Sequence, residues 1–210
     1  MYQGLFLYKR SRPDIMPDIA YCTTRVLYPN KDGWKKLRKI MIFLKLIAGD
    51  IMTLKADNII TAHWHTDVAF AVHLDFRSHT GYTMLLGKGS VTASNRKQGM
   101  NTHSSTEAEI VGSNKSVGPM LWTLLFMEVQ KYLLEQNILY QDNKSSILLE
   151  SNVRKSTGKQ SRHLNIRLFF MTDQKEKSRL SIMHCPTEEI TVNYLSKPLI
   201  GQKFKKFGRD

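Results

Sequence analysis

Three short extended runs follow one another in the middle of the chain, and they constrain the fold more than any other feature. IITAHWHTDVAFAV, GYTMLLG and GKGSVTASNRKQ are rich in β-forming residues, and glycines and polar residues suited to tight turns lie between them. Strands separated by such short connections pair in antiparallel fashion. The sequence therefore predicts an antiparallel meander of three strands.

Helical patterns precede and follow this meander. The first 55 residues read as helical, and NKDGWKKLRKIMIFLKLI places apolar residues at helical spacing, which predicts packing against a neighbour. The block from Ser104 to about Gln136 predicts a helix with a break or kink at Gly118-Pro119, because proline removes a backbone donor and clashes with the preceding turn.

The remaining segments complete an alternating pattern. NILYQDN predicts a fourth strand, NKSSILLES and HLNIRLFFMTDQKEK two helices, RLSIMHC a last strand and PTEEITVNYLSKPL a last short helix. The order β-β-β-α-β-α-α-β-α predicts an α/β fold in which helices flank a mixed five-stranded sheet, preceded by a short helical segment.

Charge narrows the choice of partner. Lys and Arg number 31 and Asp and Glu 18, so the net charge is +13, and such a chain attracts phosphate backbones first and acidic membrane surfaces second. Cys22 and Cys185 stand far apart and form no CxxC pair, which favours neither a zinc site nor a disulfide framework. No apolar run approaches the roughly 20 residues of a membrane span, so we expect no membrane association.

Three acidic positions are candidates for chemistry. Asp67 lies inside an apolar strand, where a carboxylate is costly to bury unless it is paired or bound to a cation. Asp142 ends the fourth strand, a common position for ligand sites, although capping the next helix explains it equally well. NTHSSTEAEI offers Glu107 and Glu109, and Ser or Thr followed by Glu is also typical of a capped helix N-terminus.

The histidines give weaker signals. His63 and His65 point to one face of a strand, but no third ligand follows at a suitable spacing, which favours exposed or core histidines. His163 lies beside basic residues near a helix start, where it is a candidate for a phosphate contact or proton transfer as well as for a structural role.

Taken together, the motifs resemble the C-terminal part of a copia-type retrotransposon polyprotein. TDVAFAV, RSHTGY, GKGSVTASNRKQ, SSTEAEI, QDNKSS, SRHLNIR and CPTEEITVNYLSKPL occur in the order that this family shows. RPDIMPDIAYCTTRV and DGWKKLRKIMIFLK resemble the segment that joins the reverse transcriptase to its ribonuclease H domain. The resemblance implies a fragment with a helical connection segment at 1–57, a ribonuclease H-like domain at 58–200 and a basic tail at 201–210.

The resemblance also implies a catalytic site. It assigns the first-strand acid to Asp67, the fourth-strand acid to Asp142 and the helix acid to Glu109, which is followed by apolar residues as in the wider superfamily. Two residues on a helix point about 200° apart, so Glu107 and Glu109 cannot both face one site. Where the family has an Asp in the last helix, this chain has Asn193, which predicts weaker metal binding.

The implied activity is metal-dependent hydrolysis of the RNA strand of an RNA–DNA hybrid, with two Mg²⁺ or Mn²⁺ ions held by Asp67, Glu109 and Asp142. Candidate nucleic-acid contacts are Arg96, Lys97, Ser145 and His163. Further implied partners are the polymerase domain of the intact polyprotein, and an intracellular location in a cytoplasmic particle or the nucleus. The polymerase motifs themselves are not in the chain, so we expect no polymerase activity. The alternative is a decayed, non-catalytic remnant that binds nucleic acid.

Overall fold

The computed structural model describes residues 2–49, 52–151 and 162–193, and a five-stranded mixed sheet lies at its centre. The helices and strands follow in chain order: α1 (Tyr2–Arg10), a 3₁₀ turn (Pro13–Ile15), α2 (Met16–Thr23), α3 (Lys31–Leu46), β1 (Lys55–Ala56), β2 (Thr61–Ala69), β3 (His79–Leu85), β4 (Gly87–Lys88), β5 (Ser90–Lys97), α4 (Ser105–Val129), β6 (Gln136–Gln141), α5 (Lys144–Ser151), α6 (Arg162–Glu176) and β7 (Ser181–His184).

The sheet has the strand order β5-β3-β2-β6-β7. Strands β2, β3 and β5 form the predicted antiparallel meander, whereas β6 pairs in parallel with β2 and β7 in parallel with β6. The short strands β1 and β4, which the sequence did not predict, form a separate two-stranded ladder. The predicted architecture, an α/β fold with a mixed five-stranded sheet flanked by helices and preceded by a helical segment, is confirmed.

Successive side chains along the strands point to opposite faces of the sheet and pack in two different hydrophobic cores. On one face, Trp64 and Leu139, both fully buried, pack with Val117 and Met120 of α4 and Met171 of α6. On the other face a second cluster is built mainly from the N-terminal helices and the segment after β7, with Tyr140 of β6 packed against it; its buried members include Ile15, Met16, Ile19, Cys185, Ile190 and Val192. The sheet is therefore covered on both faces, as a buried parallel pair requires.

Helix α4 differs from its prediction. It runs without interruption from Ser105 to Val129 and contains Pro119, where a break or kink was predicted, and it ends before Gln136, which begins β6. Val117 and Met120 are both fully buried and anchor the helix on either side of the proline. Gly118 has no Cβ to clash with the proline ring, so the restriction that proline places on the residue before it is relaxed. Packing thus outweighs the lost hydrogen bond.

Helix α3 agrees with its prediction only in part. Ile40 is buried in the second cluster, but Trp34 and Met41, predicted to pack, are exposed. The predicted last helix, PTEEITVNYLSKPL, is not seen in its described part, because residues 186–192 form turns and not a helix. Residues 152–161, the rest of that predicted helix after Asn193 and the basic tail at 201–210 lie outside the described residues.

Helix α4 approaches strand β2 so closely that only glycine fits at one position. A Cβ atom on Gly112 would lie 2.5 Å from Val68 Cγ2 and 3.3 Å from Thr80 Cγ2. Because the neighbouring side chains are buried and closely packed, Gly112→Ala must displace the Val68 side chain, the helix or the strand.

We expect Gly112→Ala to lower the free energy of unfolding by about 1–3 kcal/mol through overpacking, against the gain of roughly 1 kcal/mol that alanine normally brings to a helix. Urea denaturation measures the change. Val68→Ala removes the clashing methyl group, so the double variant should be more stable than the sum of the two single changes predicts, by about 1 kcal/mol or more. Strict additivity would contradict the clash.

Candidate active site

Three carboxylates from three different elements meet at one place. Asp67 on β2, Glu109 on α4 and Asp142 just after β6 each offer an oxygen atom, and these atoms all lie within 4.8 Å of one another. Asp67 is 1% and Glu109 6% exposed. Like charges this close, two of them on buried residues, repel one another strongly unless a cation compensates them.

The strand register explains how the two aspartates meet. His65 on β2 lies opposite Tyr140 on the parallel strand β6. Asp67 and Asp142 each follow two residues later, so they are level with one another at the carboxyl ends of adjacent strands. This edge is where α/β sheets commonly hold ligands. Glu109 reaches the same place from the second turn of α4, the helix that packs on β2.

Hydrogen bonds at the start of α4 separate the roles of the two glutamates. Ser104 Oγ accepts a bond from the backbone N–H of Glu107 at 3.2 Å, and Glu107 Oε2 accepts one from the N–H of His103 at 2.7 Å. This is a variant of the capping box, because Glu107 bonds the N–H of the residue before the N-cap and not that of Ser104 itself. Glu107 therefore serves the helix start, whereas Glu109 lies among the acids.

The sequence left open that Asp142 caps the following helix. In the structure its neighbour Asn143 is the cap. Asn143 Oδ1 accepts a hydrogen bond from the backbone N–H of Ser146 at 3.0 Å, which caps α5. Asp142 Oδ2 instead accepts a bond from Thr187 Oγ at 2.7 Å. Its carboxylate is thus oriented by the segment that follows β7.

Asn193 connects to the acids through this same threonine. Its side-chain N–H₂ group donates a hydrogen bond to the Thr187 carbonyl oxygen, and the residue is buried. A short chain of hydrogen bonds therefore runs from Asn193 through Thr187 to Asp142. This amide is a donor here, a role that an aspartate at the same position could not fill while ionised.

The predicted nucleic-acid contacts are spread over three elements, β5, α5 and α6. Arg96 and Lys97 lie on β5, two strands or about 10 Å from the line of Asp67 across the sheet. Arg96 is exposed and lines a cleft of about 310 Å³ beside α1, whereas Lys97 forms an ion pair with Asp75 at 2.7 Å. Ser145 is exposed near Asp142. His163 belongs to α6, but its side chain lies outside the described residues.

The histidines on β2 belong to the packing of the sheet. The rings of His63 and His65 lie 5.9 and 5.0 Å from the ring of Tyr140. Burial lowers the pKa of His65 to about 4, with a smaller contribution from His63, so His65 is neutral at physiological pH. A second pair, which the sequence reading missed, joins His73 Nε2 and His79 Nδ1 at 2.8 Å, and burial lowers the pKa of His79 to about 4.

A buried polar network beside the acids was also missed. Ser113 Oγ donates to Gln141 Oε1 at 2.9 Å, Gln141 Nε2 donates to Glu150 Oε2 at 2.6 Å, and Ser146 Oγ donates to Glu150 Oε1 at 2.9 Å. All four residues are at most 1% exposed. Burial raises the pKa of Glu150 to about 7, although the hydrogen bonds from Ser146 and Gln141 and the nearby charge of Lys175 oppose this rise.

The donor set of Asp67, Glu109 and Asp142 fits a hard divalent cation. Mg²⁺ and Mn²⁺ prefer carboxylate oxygens and are commonly held by a few carboxylates together with water and substrate phosphates. Three carboxylate oxygens within 4.8 Å, on residues that are buried or half-buried, form such a set. The residues present therefore fit a metal site, and a bound cation would offset their mutual repulsion.

The chain resembles proteins of plant retrotransposons over almost its whole length. It is similar to Pol polyproteins of plant retrotransposons: 28% identical over 200 residues to that of transposon RE2 of Arabidopsis thaliana, and 24% identical over 196 residues to that of TNT 1-94 of Nicotiana tabacum. These matches cover 92% and 93% of the chain but only 14% of either polyprotein. The resemblance predicted from the motifs is thus confirmed.

Other comparisons add detail. No family model matches the chain. Among solved structures, a foamy viral protease–reverse transcriptase in complex with RNA/DNA hybrid aligns with a TM-score of 0.49 and 15% identity, covering 73% of this chain and 21% of that one. Ribonuclease H1 of Halobacterium salinarum aligns with a TM-score of 0.37 and 14% identity, covering 63% and 90%. Within the described part of the chain, no helix is both long enough and apolar enough to cross a membrane.

Glu150 gives stability a measurable pH dependence. Its folded-state pKa, about 7, lies above the ordinary value of 4.5, so its ionisation disfavours the folded state increasingly as pH rises from about 4.5 through 7. We expect Glu150→Gln to gain stability relative to the wild type as pH rises from 5 to 8, by on the order of 3 kcal/mol. Urea denaturation at several pH values measures this difference.

The difference in stability between Glu150→Gln and the wild type isolates the pH dependence of Glu150 from that of the buried histidines. His65 and His79, with pKa values lowered to about 4, act in the opposite direction, because their contribution is lost as pH falls below about 6.5. They are common to both proteins and cancel in the difference. A difference that stays flat between pH 5 and 8 would contradict the prediction for Glu150.

Proposed function

We propose that the chain is a ribonuclease H-type endonuclease segment of a retroelement polyprotein that hydrolyses the RNA strand of RNA–DNA hybrids. The observation that carries this proposal is the convergence of Asp67, Glu109 and Asp142, whose oxygens lie within 4.8 Å of one another. The similarity to retrotransposon Pol polyproteins supports the substrate class. The net charge of +13 supports attraction to a polyanion.

In this mechanism Asp67, Glu109 and Asp142 would together hold two divalent cations, Mg²⁺ or Mn²⁺. Such a pair of ions would activate the attacking water and stabilise the leaving oxygen, so that hydrolysis would yield a 3′-hydroxyl and a 5′-phosphate. The chain itself fixes the carboxylates in place. Ser104 and Glu107 anchor the start of the helix that carries Glu109.

The hybrid is recognised through its backbone and 2′-hydroxyl groups and not through its bases. Arg96, Lys97, Ser145 and His163 are the proposed contacts. Within the polyprotein, the segment at 1–57 adjoins the polymerase domain, 58–200 forms the nuclease and 201–210 a basic tail. The place of action is then intracellular, in a cytoplasmic particle or the nucleus.

A second candidate function is a non-catalytic remnant that binds nucleic acid through charge. The observation that favours it is Asn193, which brings no negative charge to the place where the resembling family has an aspartate. The two candidates differ in one measurable respect, which is cleavage of a labelled hybrid in the presence of Mg²⁺ or Mn²⁺.

The two glutamates of α4 provide a matched test of the catalytic proposal. We expect Glu109→Gln to lower hybrid cleavage at least about 100-fold, because it removes a direct metal ligand, and loss of outer partners alone commonly costs 10- to 100-fold. Glu107→Gln should leave cleavage within about twofold, because glutamine also completes a capping box. Cleavage of a fluorescent RNA–DNA hybrid is compared for both variants.

Measuring the stability of each variant excludes unfolding as the cause of lost cleavage. Without metal, Glu109→Gln should unfold at a higher denaturant concentration than the wild type, because it relieves repulsion with Asp67 and Asp142. Equal loss of cleavage in both variants would place Glu109 outside the site. Cleavage that persists in Asp67→Asn would assign the activity to a contaminant. Salt-sensitive hybrid binding by a wild type that does not cleave would support the remnant.

Asn193→Asp tests the fourth position of the site. We expect it to lower the Mn²⁺ concentration needed for half-maximal cleavage, because a carboxylate adds negative charge next to the acids. It should also lower stability by about 1–3 kcal/mol, because an ionised carboxylate cannot donate to the Thr187 carbonyl. Metal titration of cleavage and urea denaturation measure the two effects. An unchanged metal requirement would mean that the missing acid does not limit this site.

A further inference from the structure

A fully buried carboxylate lies beside the candidate active site but is not one of its three acids. Glu150, on α5, accepts hydrogen bonds from Gln141 at 2.6 Å and from Ser146 at 2.9 Å. Gln141 in turn accepts one from Ser113 of α4 at 2.9 Å. The network therefore joins three elements, α5, β6 and α4, and two of these carry acids of the site.

We propose that Glu150 is a positioning residue, which holds the end of β6 and the second turn of α4 in the arrangement that brings Asp142 and Glu109 together. This inference rests on the function proposed for the three acids. Gln141 immediately precedes Asp142, and Ser113 lies four residues after Glu109, one helical turn away on the same face. A displacement of Gln141 therefore also moves Asp142, and a displacement of Ser113 also moves Glu109.

The amide oxygen and the amide nitrogen of Gln141 both need hydrogen-bond partners, and Glu150 is the partner of the nitrogen. The amide oxygen is used by Ser113, so the N–H₂ group must face an acceptor, and Glu150 Oε2 supplies it. The second oxygen of Glu150 is used by Ser146. Without this acceptor the buried N–H₂ group is left unsatisfied, and rotating the amide to satisfy it gives up the bond from Ser113. Loss of Glu150 therefore loosens the link between β6 and α4.

The cost of burying this carboxylate also argues for a specific role. Burial raises the pKa of Glu150, which means that its ionised form is held at the expense of stability. An apolar side chain would avoid this cost. Fully connected polar networks are nevertheless able to fix one arrangement of packed elements, since each donor and acceptor has a defined partner. The arrangement fixed here is that of two segments carrying acids.

Asn137 provides a matched control on the same strand. It lies at the opposite end of β6 from Gln141 and also links this strand to α4, because its side-chain N–H₂ group donates to the Met120 carbonyl oxygen at 3.2 Å. It bonds the Arg179 carbonyl as well, and it is buried like Glu150. Asn137→Ala therefore weakens the same pair of elements, but far along the strand from Asp142.

The test compares Glu150→Ala, Glu150→Gln and Asn137→Ala in the full chain. Mn²⁺ binding to the folded protein is measured by electron paramagnetic resonance, and amide hydrogen exchange is followed without metal in residues 105–113 and 137–143. We expect Glu150→Ala to weaken Mn²⁺ binding about 10- to 100-fold and to speed exchange around Glu109 and Asp142. Glu150→Gln should restore both, because its amide oxygen still accepts from Gln141. Asn137→Ala should lower stability without changing Mn²⁺ affinity.

The two readouts separate this inference from the proposed function. Exchange around Glu109 and Asp142 that is as slow in Glu150→Ala as in the wild type would overturn the positioning role, whatever the metal data show. Equal weakening of Mn²⁺ binding by Glu150→Ala and Asn137→Ala would overturn it too, since general loosening would then suffice. A wild type that binds no Mn²⁺, together with faster exchange in Glu150→Ala, would refute the proposed metal site and support the positioning role.

Discussion

The close contact between helix α4 and strand β2 is the constraint on which the rest of the structure depends. Gly112 allows the helix to lie against Val68 at a distance that a Cβ atom would not permit. One turn earlier on the same helix is Glu109, and one residue before Val68 is Asp67. The contact that packs the core therefore also sets the separation of two acids. Stability and the geometry of the site are governed by the same few atoms.

This close packing works against the electrostatics of the site. Asp67, Glu109 and Asp142 repel one another across distances of less than 5 Å, while hydrophobic burial on both faces of the sheet holds their elements together. Proteins tolerate such repulsion where a ligand relieves it, at the expense of some stability in the ligand-free state. The hydrogen bonds around the acids also hold them in place against this repulsion, because Thr187 fixes Asp142 and the capping box fixes the start of α4.

Much of this arrangement was predictable from the sequence. The meander, the fourth strand and the following helices follow from local periodicity, and an acid inside an apolar strand made Asp67 a candidate. The sequence predicted a mixed sheet but not which strands run parallel. Helix geometry showed only that Glu107 and Glu109 cannot both face one site, and the resemblance, which has apolar residues after the helix acid, selected Glu109. Pro119 was misread, since its local effect is outweighed by the burial of Val117 and Met120, which only the tertiary structure reveals. The network of Glu150 joins Ser113 to Gln141, 28 residues apart, and Gln141 to Glu150, 9 residues apart. No local sequence pattern therefore predicts it.

The N-terminal helices connect to the site by a less direct route. Ile15, Met16 and Ile19 share a buried cluster with Ile190 and Val192, which lie between Thr187 and Asn193 in sequence. Packing of this apolar pair against α2 fixes the turn that presents the Thr187 hydroxyl to Asp142 and accepts the amide of Asn193. The segment before the sheet thus contributes to the orientation of the fourth-strand acid without supplying a ligand. Both ends of the described chain thus meet in one apolar cluster, and its packing supports the turn that holds Thr187 against Asp142.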